Sequence, residues 1–275
     1  MRLERNRIAL GSYQYLRYPL DYFLDTAAEL EISAVELWAA APHLCLELVS
    51  DRELRIIRRQ LRERSLRVCC VTPEQCTYPV NLASEEEPLR QYSIQTFRRA
   101  IQAAALLESP LVLVTAGCGY YNRPVSEAWE RSADSLEQLA RYAQAHGVRL
   151  TLETLTPLSS NILNTPEQQR AMLKRLPPDS ACAMLDIGQM AYMKQELARY
   201  LDHGPALGHV HIHDSHPNIH MALGDGDLPI ASYVARLEEA GYAGMYAFEC
   251  NDPAYRQDPR GADRKNIAWL ERHLF

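Results

Sequence analysis

The 275-residue sequence has no run approaching the ~18 to 20 apolar residues that a membrane span needs. Its N-terminus, MRLERNRIALGSY, turns into a strand-like segment without an apolar signal core. A soluble, cytoplasmic protein is expected. CxxC is missing as well: the seven cysteines are an odd number and include the adjacent pair Cys69 and Cys70, so reduced, mostly buried thiols are the expectation. There is no surplus of positive charge. Twenty-nine Lys and Arg against 35 Asp and Glu leave −6, and the basic residues are scattered over helical segments such as RRQLRERSLR. That balance argues against nucleic acid as a partner. No strand is followed by a GxGxxG turn, which removes support from a doubly wound dinucleotide-binding sheet. No Gly, Ser or Pro-rich linker divides the chain, so 1–275 is expected to be one domain.

What the sequence does have is an alternation of short β-branched or apolar runs with longer segments of helical period, repeated eight times. The strands are expected at 7–12, 34–38, 67–72, 110–116, 148–153, 181–187, 207–213 and 244–250. Helices are expected at about 20–30, 51–64, 85–107, 125–146, 166–175, 190–203, 230–240 and 260–273. In the third, Ile94, Phe97, Ile101 and Ala104 or Ala105 recur at the spacing of a core-facing stripe. Pro19, Ser50 before Asp51, and Thr165 before Pro166 mark helix starts, while Gly147 and Gly241 mark ends. Eight such units in a chain of this length predict an α/β fold of the (β/α)8 TIM-barrel type.

The segment LGHVHIHD, 207–214, places His209, His211 and His213 at alternate positions, hence on one face of a strand. Three imidazoles on one face must find hydrogen-bond partners or bind something. In a barrel of this type chemistry is done at the C-terminal strand ends. There, strand five ends in Glu153, strand six carries Asp186, strand seven His211 and strand eight Glu249, each after an apolar lead-in. Any one acid could be a solvated loop residue. Three carboxylates and an imidazole gathered at one rim repel one another, and a divalent cation would relieve that repulsion. Oxygen-rich donors suit Mn²⁺, Mg²⁺ or Co²⁺ better than a thiolate zinc site, with Zn²⁺ still open. His209 is assigned to the barrel interior.

The segments LETLTP, MLDIGQM, HVHIHDS with its later GDG, and GYAGMYAFE resemble the last four strand ends of the xylose-isomerase-like sugar epimerase barrels. Within that group VELWAAAPH, VTPEQCTYPVN and GCGYYNRP are most similar to the loops of fructoselysine 3-epimerase and, more distantly, the tagatose and psicose 3-epimerases. The resemblance implies a metal held by Glu153, Asp186, His211 and Glu249, with Glu153 and Glu249 doubling as acid and base, and a small-molecule sugar as substrate. It implies an isomerase inverting C3 of a ketose or of a fructosamine through an enediolate. Inversion fits two carboxylates on opposite faces, since a single base favours same-face return. Trp38, His43, Glu74, Tyr78, Tyr120 and His220 are candidate substrate contacts in strand-to-helix loops, each of which could instead be structural. Gln189 stands where the free-sugar relatives commonly have histidine, Ser159 where both the ketose 3-epimerases and fructoselysine 3-epimerase usually have an acid, Cys118 where the nearest subgroup has histidine, and Leu223 where the family usually has proline. The rivals are a sugar isomerase or polyol dehydratase of the same superfamily, the DNA-repair endonuclease IV of the same fold, and a non-catalytic sugar-binding barrel. A homo-oligomer, dimer or tetramer, is the default expectation.

Overall fold

The computed structural model describes residues 2–75, 80–202, 207–216 and 218–275. Its strands are β1 (Ile8–Gly11), β2 (Ala34–Ala39), β3 (Arg67–Pro73), β4 (Leu111–Val114), β5 (Arg149–Leu152), β6 (Ala181–Asp186), β7 (Leu207–Ile212) and β8 (Met245–Phe248). Each pairs in parallel with the next and β1 pairs with β8, so the sheet closes in sequence order. The expected barrel is therefore present, with every strand within about two residues of its predicted position.

Alternation along the strands builds two apolar regions of different character. Ile8, Leu10, Val35, Leu37, Val112, Val114, Leu150, Leu152, Val210 and Ile212 belong to the main core with the helices. Their alternates Ala9, Ala34, Leu113, Met184 and Ala247 form a separate cluster, packed against Leu111 and Met245. Small alanines on three strands leave room for the two methionines and two leucines to fill the space between strands.

The outer ring is α1 (Leu20–Glu29), α2 (Asp51–Glu63), α3 (Glu87–Leu106), α4 (Val125–Ala145), α5 (Pro166–Leu173), α6 (Ile187–Tyr192), α7 (Leu197–Leu201), α8 (Ile230–Glu239) and α9 (Pro259–His273). Ser50 and Thr165 form capping boxes with Glu53 and Gln168 at the starts expected for them. Gly147 and Gly241 take the left-handed conformation just past α4 and α8. Ile94, Phe97, Ile101 and Ala104 are buried as the stripe in α3 requires, whereas Ala105 lies at its edge.

One helix was misjudged. The single helix expected at 190–203 is two short ones, α6 and α7. Asp186 caps the first through its side chain, which starts it three residues early, and Lys194 at φ 53° breaks the path. Glu196 then stands at the N-cap of the second.

The chain closes on itself where Tyr15, after β1, donates its hydroxyl to Asp263 of α9 at 2.6 Å. Burial pushes the Asp263 carboxyl up to about 7. The unfolded chain releases that proton near pH 4, so this group's contribution to stability is complete below pH 4 and is lost as pH rises through about 7. We predict that Asp263→Asn, which keeps an acceptor for Tyr15, removes a slope of up to about 1.4 kcal/mol per pH unit between pH 4 and 7. Urea unfolding of both proteins across that range tests this; parallel profiles would refute it.

Candidate active site

Closure of the barrel sets the ends of β5 to β8 side by side. Glu153 follows β5, its N–H bonded to the Val114 carbonyl at 2.9 Å. Asp186 ends β6 in register with His211 of β7, which in turn is paired with Ala247, two residues before Glu249. The four side chains expected to meet do so: one donor atom each from Glu153, Asp186, His211 and Glu249 lies within 4.8 Å of the others. The first three are buried, and Glu249 keeps 17 % of its side chain exposed.

Each member is held by the chain around it. Asp186 Oδ1 accepts the Gln189 N–H at 2.6 Å, and both its oxygens face His213 Nε2 at 3.1 and 3.3 Å. That approach depends on Gly188, where an added Cβ would lie 1.8 Å from the His213 ring. Gln189 also donates from Nε2 to Glu153 Oε1 at 2.9 Å, while its Oε1 accepts the Thr156 N–H at 3.0 Å. His211 Nδ1 meets Glu249 Oε2 at 2.7 Å, and its Nε2 meets Glu36 Oε1 at 2.9 Å. His220 lies beside His213, ring centroids 4.4 Å apart, with Nδ1 3.2 Å from the Glu249 carbonyl.

Crowding separates the protonation of these groups. Burial, and then the nearby Glu249 charge, raise the Glu153 pKa well above the ordinary carboxyl range. Burial acts the same way on Asp186, but His213 beside it outweighs that and its pKa is lowered. His211 loses solvation too, yet Glu36 and Glu249 on either side raise it. A carboxyl inclined to hold its proton at the rim suits Glu153 to acid–base work.

The donor set also fits a divalent cation. Three carboxylates and one imidazole converge at the rim, and the repulsion that raises Glu153 is what a cation would relieve. Two other groupings are geometrically close: Asp186 with His213, His220 and Glu249, and Glu36 with Cys70 and His209. In the first, His213 Nε2 is directed at Asp186 itself. In the second, burial holds the Cys70 thiol neutral and His209 is spent on Glu36 at 2.6 Å.

The other candidate contacts divide. Trp38 is half-buried and stacks on Tyr13, centroids 5.9 Å apart, while Tyr13 meets His211 edge-on at 6.0 Å, so Trp38 lies beside the site. Gln189 bonds the Glu153 carboxylate directly, whereas His220 meets the main-chain carbonyl of Glu249, with its Nδ1 3.6 Å from that residue's carboxylate. His43 Nε2 donates to the Tyr18 carbonyl at 2.9 Å, which gives it a role in holding its loop. Tyr120 is half-exposed and bonds Glu86 at the start of α3. Glu74 bonds the following backbone N–H at 3.0 Å. Tyr78 lies outside the described residues. Leu223 in place of proline leaves the turn intact, since Asp214 accepts the N–H groups of Gly224 at 2.9 Å and Leu228 at 3.0 Å.

Sequence reasoning missed Glu36 and Tyr13. Both are buried, and the Tyr13 hydroxyl bonds Glu36 at 2.8 Å. The available signal was the period of two in AVELW, which puts an acid between Ala34 and Trp38 on one face of an otherwise apolar strand.

Fold and site together define a (β/α)8-barrel enzyme with a carboxylate and imidazole centre at its strand ends. The chain belongs to the xylose isomerase-like TIM barrel family, whose model matches residues 24–273. It is 27 % identical over 247 residues to fructoselysine 3-epimerase of Shigella flexneri, covering 89 % of each chain. It is 29 % identical over 223 residues to L-ribulose 3-epimerase of Methylomonas sp. (strain DH-1), covering 80 % of this chain and 72 % of that one. The crystal structure of 3-keto-D-glucoside 4-epimerase from E. coli superposes with a TM-score of 0.83 at 21 % identity, covering 97 % and 99 %, a likeness of fold. These relatives are carbohydrate epimerases, a class of isomerase.

Proposed function

We propose that this chain, an isomerase of the carbohydrate epimerase class, inverts C3 of a ketose or fructosamine using Glu153 and Glu249 as the proton-transfer pair. The observation that carries the reading is the convergence of these two glutamates with Asp186 and His211 at one rim. A divalent cation held by the four, Mn²⁺ first and Mg²⁺, Co²⁺ or Zn²⁺ next, would stabilise the negative charge that develops on the substrate oxygens. One glutamate removes the C3 proton from one face and the other returns a proton to the opposite face, through an enediolate. Gln189 orients Glu153, and Trp38 and His220 border the sugar. The protein is placed in the cytoplasm as a homo-oligomer. All six described cysteines are free thiols, and no helix among the described residues is long and apolar enough to cross a membrane.

The substrate preference follows from what replaces the missing acid. Ser159 is exposed in a turn. Its neighbours are committed elsewhere: Ser160 donates to the Gly117 carbonyl at 2.6 Å, and Asn161 bonds Gly119 through both ends of its amide at 2.8 and 3.1 Å. A buried charge-assisted acceptor for a sugar hydroxyl is worth roughly 1.5 to 3 kcal/mol, and its loss falls on a free sugar first. We predict that an amine-substituted ketose has a kcat/KM about tenfold or more above that of its free counterpart. Proton NMR in heavy water should show deuterium entering C3, and steady-state kinetics on the matched pair should show the preference. Binding without exchange would indicate a sugar-binding barrel, and equal or greater efficiency on the free sugar would overturn the specificity.

A further inference from the structure

We infer that Glu36 is a positioning residue for His211: it fixes which imidazole nitrogen faces the carboxylates and thereby sets the metal affinity of the site. The inference rests on the donor set proposed above and extends it to a residue outside that set. Glu36 lies in β2, with no exposure to solvent, and is paired with Gly11 on one side and Cys70 on the other. Its Oε1 accepts from the Tyr13 hydroxyl at 2.8 Å, from His211 Nε2 at 2.9 Å and from the Thr72 hydroxyl, and its Oε2 accepts from His209 Nε2 at 2.6 Å. An ionised carboxylate has no proton to give, and four donors converge on this one, three on Oε1 and one on Oε2.

The consequence falls on the rings. A nitrogen directed at a carboxylate that can only accept carries hydrogen, and both His211 nitrogens face one. Nε2 faces the buried Glu36, away from the donor set, so Nε2 keeps its hydrogen and Nδ1, on the Glu249 side, is the atom that would give up its own to a cation. That Nδ1 lies 2.7 Å from Glu249 and 3.9 Å from Asp186. A carboxylate behind a metal-binding imidazole fixes ring orientation and tautomer, and losing such a partner costs about 10- to 100-fold in metal affinity. Glu36 is itself held. Gly11 allows this, because a Cβ there would lie 2.2 Å from the Phe248 carbonyl and 2.7 Å from the Tyr13 ring that reaches Glu36.

Glu36→Gln keeps the shape but offers a single acceptor oxygen, with an amide that donates toward the imidazoles. Mn²⁺ affinity measured by electron paramagnetic resonance should fall about 10- to 100-fold. Tyr13→Phe, which removes one donor and leaves both imidazole contacts, should stay within a few-fold of wild type. A role limited to folding would lower the thermal midpoint and leave the affinity of the folded protein unchanged, and that result would overturn the inference. ¹⁵N-resolved imidazole spectra of the Mg²⁺-loaded wild type decide even if the Gln variant fails to fold: His211 should carry its hydrogen at Nε2, and hydrogen at Nδ1 would overturn the inference. His211→Ala separates the two claims. Unchanged Mn²⁺ affinity in that variant would remove the donor set and this inference with it, whereas lost affinity there with retained affinity in Glu36→Gln would remove the inference alone.

Discussion

Glu153→Gln and Glu249→Gln should each lower kcat by about 10² to 10⁴-fold, the range that a positioned acid or base contributes. The two changes keep side-chain volume and remove only the ability to exchange a proton. At position 153 the amide can still pair with Gln189, which bonds Glu153 at 2.9 Å, so the local geometry has a way to persist. At position 249 the amide keeps the length and shape of the side chain that now lies 2.7 Å from His211 Nδ1. Metal content measured on the same samples separates a lost proton transfer from a lost ligand. Turnover within tenfold of wild type in either variant, with metal bound, would sink the two-glutamate mechanism.

For His211→Ala the expected loss is in metal affinity, by more than about 100-fold, larger than for a residue that only orients a ligand. Removing the ring leaves Glu153, Asp186 and Glu249 facing one another with less positive charge among them, because flanking Glu36 and Glu249 raise the imidazole's pKa despite its burial. The barrel should remain folded, since β7 keeps its backbone pairing to β6 and β8 on both sides. His209→Ala should cost less affinity, because that ring contacts Glu36 rather than the carboxylate cluster. Metal analysis of the purified proteins and Mn²⁺ titration check both, and an undiminished metal content in His211→Ala would refute the assignment.

The strands could be read from the chain because each is a short apolar run that stops at a turn. In this fold the residues at and just past those stops are brought together by closure alone, which is why the convergence of Glu153, Asp186, His211 and Glu249 could be anticipated without coordinates. Glu36 was hidden for the opposite reason. It meets His209 and His211 across the inside of the barrel, 173 and 175 residues away in sequence, and no local pattern records a contact across a closed sheet. Trp38 drew attention at the end of the same strand. His43 illustrates a different limit: a loop histidine reads the same whether it faces a ligand or, as here, a main-chain carbonyl. The break between α6 and α7 was invisible because Asp186 was read as a strand end alone, although its side chain also begins the next helix.

Ala9, Ala34, Leu113, Met184 and Ala247 form an apolar floor inside the barrel among the described residues. The recess at its other end, lined by Arg67, Cys69, Leu111, Arg149 and Met245, stops against this apolar plug. On the proposed mechanism, protons exchanged by the glutamates would therefore travel from the loop side, as the substrate would. Each inversion by two glutamates would leave one of them richer by a proton and the other poorer, so successive cycles on the same epimer would require a reset from the loop side. Forward and reverse reactions would then start from oppositely protonated forms of the protein.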